Sequence, residues 1–243
     1  MKDNLELDVR VYPINEPQGK TLAFASVSVG DIAAIRGIRV IQGKERPYVS
    51  MPQNKDKSGD FHDLACPIVS DLRKEMNSAV LNEWEKQAAL APEERGYEKH
   101  EYNKDSLRKP GEIAYKVSVN PVQNPQGNTL AYASVTLDDA VAINSIRLIK
   151  SDKGLFVSMP QSKDKEGKFH DVAFPLSGDV RKAICADIMT EFEKKTKEIG
   201  EKKQGIGEKL AAGAEKVAQY VATAAATPAP AMSAAKRGPG IGD

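Results

Sequence analysis

The feature that most restricts this chain is an internal repeat. Pro17-Gln18-Gly19 returns as Pro125-Gln126-Gly127, and Val49-Ser50-Met51-Pro52-Gln53 returns as Val157-Ser158-Met159-Pro160-Gln161. Lys55-Asp56-Lys57 returns as Lys163-Asp164-Lys165, and Phe61-His62-Asp63 as Phe169-His170-Asp171. Every pair is offset by 108 positions, and the offset holds without a gap from Leu7–Lys86 to Tyr115–Lys194, with about half the positions identical. A match of this length means two copies of one domain. It is not a solenoid, whose short units stack in threes or more. Residues 1–86 then hold the first copy, 87–114 a linker, 115–194 the second copy and 195–243 a tail. The linker, with Pro92-Glu93-Glu94-Arg95-Gly96 and Lys109-Pro110-Gly111, is polar and mixed in charge. The tail starts Lys/Glu-rich and ends at Ala222–Asp243 in an Ala/Pro/Gly stretch that cannot bury a core and reads as disordered. Between these parts Ile206, Leu210, Val217 and Val221 can line one stripe of a short helix, against the cost of Gly207 and Gly213.

Each copy opens with period-two patterning. Val9 and Val11 alternate with Arg10, and Pro13 with Pro17-Gln18-Gly19 marks a turn. Thr21–Val29 places Ala23, Ala25, Val27 and Val29 on one face and Leu22, Phe24, Ser26 and Ser28 on the other. Ile32–Ile41 is β-branched and reads as a third strand, Tyr48–Met51 as a fourth, and Phe61–Cys66 as a short fifth ended by Pro67. Asn54–Asp60 reads as a polar loop. The period then changes: Leu72, Met76, Val80 and Trp84, matched by Val180, Ile184, Ile188 and Phe192, predict an amphipathic helix. Ser70 or Asp71 is the expected N-cap of the first, and Asp179 of the second. Strands followed by a helix make each copy a small α+β domain with a mainly antiparallel sheet. One helix covers one face, so pairing of the two copies is expected to bury what remains.

Charge narrows the function. The chain carries 35 Lys+Arg and 34 Asp+Glu, a net charge of +1. This excludes a histone-like binder driven by bulk charge, and any anion-binding surface must come from local segregation. No run of apolar residues is long enough for a membrane helix, and the acidic N-terminus lacks the apolar core of a secretory signal. Cys66 and Cys185 make no disulfide framework, so a reducing cytoplasm is the expected compartment. His62-Asp63 and His170-Asp171 are adjacent on a strand and so point to opposite faces, which does not suit a relay. Cys66 is not repeated, since Phe174 takes its place, and no Cys/His cluster has metal-ligand spacing. No enzyme activity, metal or cofactor is expected.

The repeated cations are the remaining candidates. Arg39 and Arg147 lie on the third strand, out of phase with its apolar residues. Lys55, Lys57, Lys163 and Lys165 sit in the loop after the fourth strand. Arg73-Lys74 and Arg181-Lys182 open the helix, where free N–H groups favour a phosphate. Tyr48/Phe156 and Phe61/Phe169 alternate into strands, where core packing is the expected role and base stacking the alternative.

The order Ile38-Arg39-Val40-Ile41, Tyr48-Val49-Ser50-Met51-Pro52, a basic loop with Gly59, then Phe61-His62-Asp63-Leu64-Ala65 and Pro67 resembles the SpoVG (stage V sporulation protein G, septation regulator) family of bacteria. The second copy repeats it as Ile146-Arg147-Leu148-Ile149, Leu155-Phe156-Val157-Ser158-Met159-Pro160, Phe169-His170-Asp171-Val172-Ala173 and Pro175. The resemblance covers about 160 of the 243 residues, in two blocks. It implies a small antiparallel sheet with a C-terminal helix, pairing as a dimer, and site-selective DNA and RNA binding in gene regulation, with links to septum formation and sporulation. Two copies in one chain imply an internal pseudo-dimer. Relatives often carry a clean basic loop after Met-Pro, whereas this chain interleaves Asp56 and Asp164.

Two functions follow from different classes: a nucleic-acid-binding regulator, or a protein-interaction module whose neutral paired sheets hold a partner protein. The assembly expected is a monomer. A flexible linker of 28 residues spans roughly 25–30 Å, which sets the second copy at an effective concentration on the order of millimolar.

Overall fold

The structure, a computed structural model, describes residues 5–56, 58–95, 107–164 and 166–202. The expected tail helix at Ile206–Val221 lies outside them. In the first unit β1 (Leu7–Pro13), β2 (Thr21–Val29), β3 (Ala33–Gln42) and β4 (Pro47–Ser50) form an antiparallel meander. A separate hairpin of β5 (Gln53–Lys55) and β6 (Phe61–Asp63) follows, then β7 (Ala65–Pro67) and helix α1 (Ser70–Ala89). The second unit repeats this as β8 (Tyr115–Pro121), β9 (Thr129–Leu137), β10 (Val141–Ser151) and β11 (Gly154–Ser158). It continues with the hairpin of β12 (Gln161–Lys163) and β13 (Phe169–Asp171), β14 (Ala173–Pro175) and α2 (Gly178–Lys202).

The alternation in the sequence sorts the faces. Val11, Ala25, Ile38 and Val40 point inward and are buried against Leu72, Met76 and Val80 of α1. Val119, Ala133, Ile146 and Leu148 meet Val180, Ile184 and Ile188 of α2 in the same way. Full burial of each Val, Leu, Ile or Met side chain here contributes about 1.5–3 kcal/mol. Buried residues of both units form one continuous apolar cluster.

The two units join differently from expectation. Phe61–Cys66 is not one strand. Its last part, β7, leaves its own unit and pairs with β10, with Ala65 opposite Ile143, Cys66 opposite Ala142 and Pro67 opposite Val141. Reciprocally β14 pairs with β3, with Ala173 opposite Ile35, Phe174 opposite Ala34 and Pro175 opposite Ala33. Backbone bonds flank each seam: Arg36 N–H donates to Val172 C=O at 2.7 Å and Leu176 N–H to Ile32 C=O at 3.1 Å. The matching pairs are Asn144 N–H to Leu64 C=O at 2.8 Å and Ile68 N–H to Ala140 C=O at 2.9 Å. The copies are thus united by exchanged edge strands, and the sheet face away from the helices is not covered by the other copy.

A bulge prepares each seam. Arg36 and Gly37 together oppose Ser26, and Asn144 and Ser145 oppose Ser134. Gly37 (φ +71°) and Ser145 (φ +56°) take the left-handed conformation such a bulge requires. The seams differ chemically. The Arg36 guanidinium lies 4.8 Å from the centre of the Phe174 ring, whereas Asn144 Nδ2 donates to the Asp63 carbonyl at 3.0 Å. Arg108, in the segment read as a linker, joins both units: Nε donates to Asp31 at 2.8 Å and a terminal nitrogen to Asp138 at 2.6 Å.

The helix starts also depart from expectation. Val69 holds the N-cap position of α1 and supplies no side-chain bond. In α2 the cap is Ser177, whose Oγ accepts from Val180 N–H at 3.4 Å. Asp71 and Asp179 lie within the first turn and bind Lys74 and Lys182 instead.

Candidate nucleic-acid interface

The segment expected as a loop, Asn54–Asp60, is largely a hairpin tip organised by one carboxylate. Asp56 Oδ1 accepts from Ser58 N–H at 2.8 Å and Asp60 N–H at 2.9 Å, while Oδ2 meets His62 Nε2 at 2.8 Å. In the second unit Asp164 accepts from Glu166 and Lys168 N–H and meets His170 Nε2 at 2.6 Å. The histidine bond first, and then the backbone donors, hold both carboxyls below the usual carboxylate range. The interleaved aspartates are therefore spent inside the turn. Gly59 (φ +95°) and Gly167 (φ +82°) close it.

Each hairpin displays a lysine on an aromatic ring. Lys55 lies opposite Phe61, its Nζ 5.5 Å from the ring centre, and Lys163 lies opposite Phe169 at 4.9 Å. Phe61 is 62% and Phe169 55% exposed, so neither packs in the core as expected, nor do Tyr48 and Phe156, which are also exposed. Lys57 and Lys165 lie outside the described residues.

The helix cations divide. Arg73 and Arg181 pair with Asp63 (3.6 Å) and Asp171 (2.9 Å) at the hairpin roots. Those carboxylates also accept from Gln53 and Gln161. These arginines brace hairpin against helix more than they offer free charge. Lys74 and Lys182 are exposed and paired only within the first helical turn, a contact worth little in water. Arg39 and Arg147 stand on the outer sheet face, opposite Phe24 and Tyr132 on one side and Ser50 and Ser158 on the other. Neither has a carboxylate within ion-pair distance among the described residues.

The sequence reading did not single out the exposed aromatics Tyr12, Phe24 and Tyr132. Their signal was the phase of β2: with Ala23 and Ala25 inward, Phe24 faces out. No group of three or more His, Cys, Asp or Glu side chains among the described residues could hold a metal ion. Burial pushes both thiols up, Cys185 to about 11, so neither is a ready nucleophile at neutral pH. No helix of the described residues is long and apolar enough to cross a membrane.

Two similar antiparallel units, each closed by a helix and joined by exchanged strands, define a tandem α+β protein with a doubled hairpin surface. The SpoVG family model matches residues 5–86 and 113–194. The chain belongs to the SpoVG family. It is 35% identical over 100 residues to a relative from Bdellovibrio bacteriovorus, covering 41% of this chain and 91% of that one. It is 42% identical over 79 residues to one from a Thermoanaerobacter species, covering 32% and 85%. It is 37% identical over 70 residues to one from Borreliella burgdorferi, covering 29% and 72%. All three carry the name of septation protein SpoVG.

Proposed function

We propose that this protein is a nucleic-acid-binding regulator, acting in gene expression and septum formation, that holds phosphates with its two hairpins. The observation that carries the reading is the repeated hairpin. In both units a lysine sits on an exposed ring, and the aspartate that follows it is turned inward on histidine and backbone. Lys55 and Lys163 are then not paired with that aspartate, and each tip carries one further carboxylate, Asp60 or Glu166. Lys74 and Lys182, at the starts of α1 and α2, add exposed cations to each unit. The cytoplasm is the compartment in which such a protein meets its target, and no cofactor enters the mechanism.

Replacing Lys55, Lys57, Lys163 and Lys165 by Ala tests this. Log affinity for DNA or RNA is expected to fall with log salt by about 0.7–0.9 per phosphate contact in the native chain. The quadruple variant is expected to bind more weakly and with a shallower slope. Equal affinity and slope would remove the hairpins from the interface. Undetectable binding by the native chain at low salt would favour the protein-interaction module instead.

A further inference from the structure

We infer that the outer face of the first unit's sheet is a stacking platform for single-stranded nucleic acid. Tyr12 pairs across the ladder with Phe24, Phe24 with Arg39, and Arg39 with Ser50, which sets a row of ring, ring, guanidinium and hydroxyl across four strands. In the adjacent row toward the seam, Arg10 faces Ser26, which faces the bulge bearing Arg36. In the row on the other side, Tyr48 stands opposite Ile41. Tyr12, Phe24 and Tyr48 are 42%, 48% and 50% exposed. An open hollow of about 300 Å³ lies among Arg10, Tyr12, Phe24 and Arg36.

This face sets aromatic rings beside arginines, the pairing that suits flat, π-faced bases linked by anionic phosphates. Exposed rings on an antiparallel sheet bind single strands because unstacked bases can lie on them, which a duplex does not permit. Charge supports the same occupant. Arg10 is held by Asp8 at 3.0 Å, but Arg36 and Arg39 have no carboxylate partner among the described residues. Arg36 is supported on Phe174 of the exchanged strand β14, so the second unit helps to build the platform.

The second unit keeps part of this arrangement. Tyr132, Arg147 and Phe156 replace Phe24, Arg39 and Tyr48, but Asn120, Ser118 and Asn144 stand where Tyr12, Arg10 and Arg36 stand in the first. The platform is therefore one-sided, whereas the hairpins are doubled. It rests on the nucleic-acid reading above but uses a different surface.

The test uses the full chain and two labelled probes, a 15-nucleotide mixed-sequence RNA single strand and the same sequence as a DNA duplex. Phe24→Leu keeps an apolar side chain at an exposed position and removes the ring. It is expected to weaken single-strand binding about 5- to 100-fold, to leave duplex binding unchanged, and to be rescued by Phe24→Trp. The bound strand is also expected to quench the fluorescence of that new tryptophan. Arg39→Gln is a second variant and is expected to weaken the single strand more than the duplex. Native single-strand affinity in both Phe24→Leu and Arg39→Gln, or an equal loss for single strand and duplex, would overturn the platform and leave the hairpin reading standing. Failure of the native chain to bind either probe would overturn both.

Discussion

At the tip of each hairpin, one carboxylate organises the turn, and this makes the tip sensitive to acid in a defined direction. Asp56 and Asp164 have folded pKa values below the ordinary value, from the histidine bond and then the backbone donors. Their contribution is complete above the unfolded carboxylate pKa of about 3.9 and is lost as the pH falls through the lower folded one. The Asp60 and Lys168 amide resonances, which report the bonds to Asp56 and Asp164, are expected to hold their positions down to about pH 4 and to move only below it. Midpoints at or above the ordinary carboxylate value would show that the aspartates are solvated and free to offset the neighbouring lysines. The same scale explains why the repeated Lys-Asp-Lys is hard to interpret from sequence. A charge count sees an aspartate cancelling a lysine, while the geometry places that aspartate in a bond to a histidine six residues on.

Among the elements, those with a local signature were legible and those defined by distant pairing were not. The sides of β2 and the buried stripes of α1 and α2 follow from periods of two and of 3.6 residues. Strands β7 and β14 have only three residues each and run on from the hairpin, so Ala65-Cys66-Pro67 reads as the end of a single strand. Nothing local says that its partner lies in the other copy. Tyr48, Phe156, Phe61 and Phe169 were expected in a core because they alternate into strands, but they lie exposed. The caps make a measurable contrast between the two helices. Ser177→Ala removes the bond to Val180 and is expected to cost about 1 kcal/mol. Val69→Ser, at the matching exposed position, is expected to gain about 0.5–1 kcal/mol. Urea midpoints check both. A neutral Ser177→Ala would mean that α2 draws no stability from its first turn.

For the whole molecule, the two seams make the pairing directional. A chain pairing like with like would bring Cys66 beside Arg36 and Phe174 beside Asn144. That arrangement loses the ring under the guanidinium and crowds the smaller seam. Arg108 adds a tie that the tandem chain supplies to itself, because it reaches Asp31 of one unit and Asp138 of the other. Arg108→Ala removes two charged hydrogen bonds from a partly buried site and is expected to cost about 1–3 kcal/mol in a single cooperative transition. Two separate transitions would mean that the units are stable apart, which exchanged strands do not allow. The central claim is that each unit is completed by the other within one chain. Light scattering on dilute protein tests it most directly. The closed pair is expected at the mass of one chain, 26.4 kDa, unchanged on further dilution. A stable species near twice that mass would place the exchanged strands between chains and contradict the account.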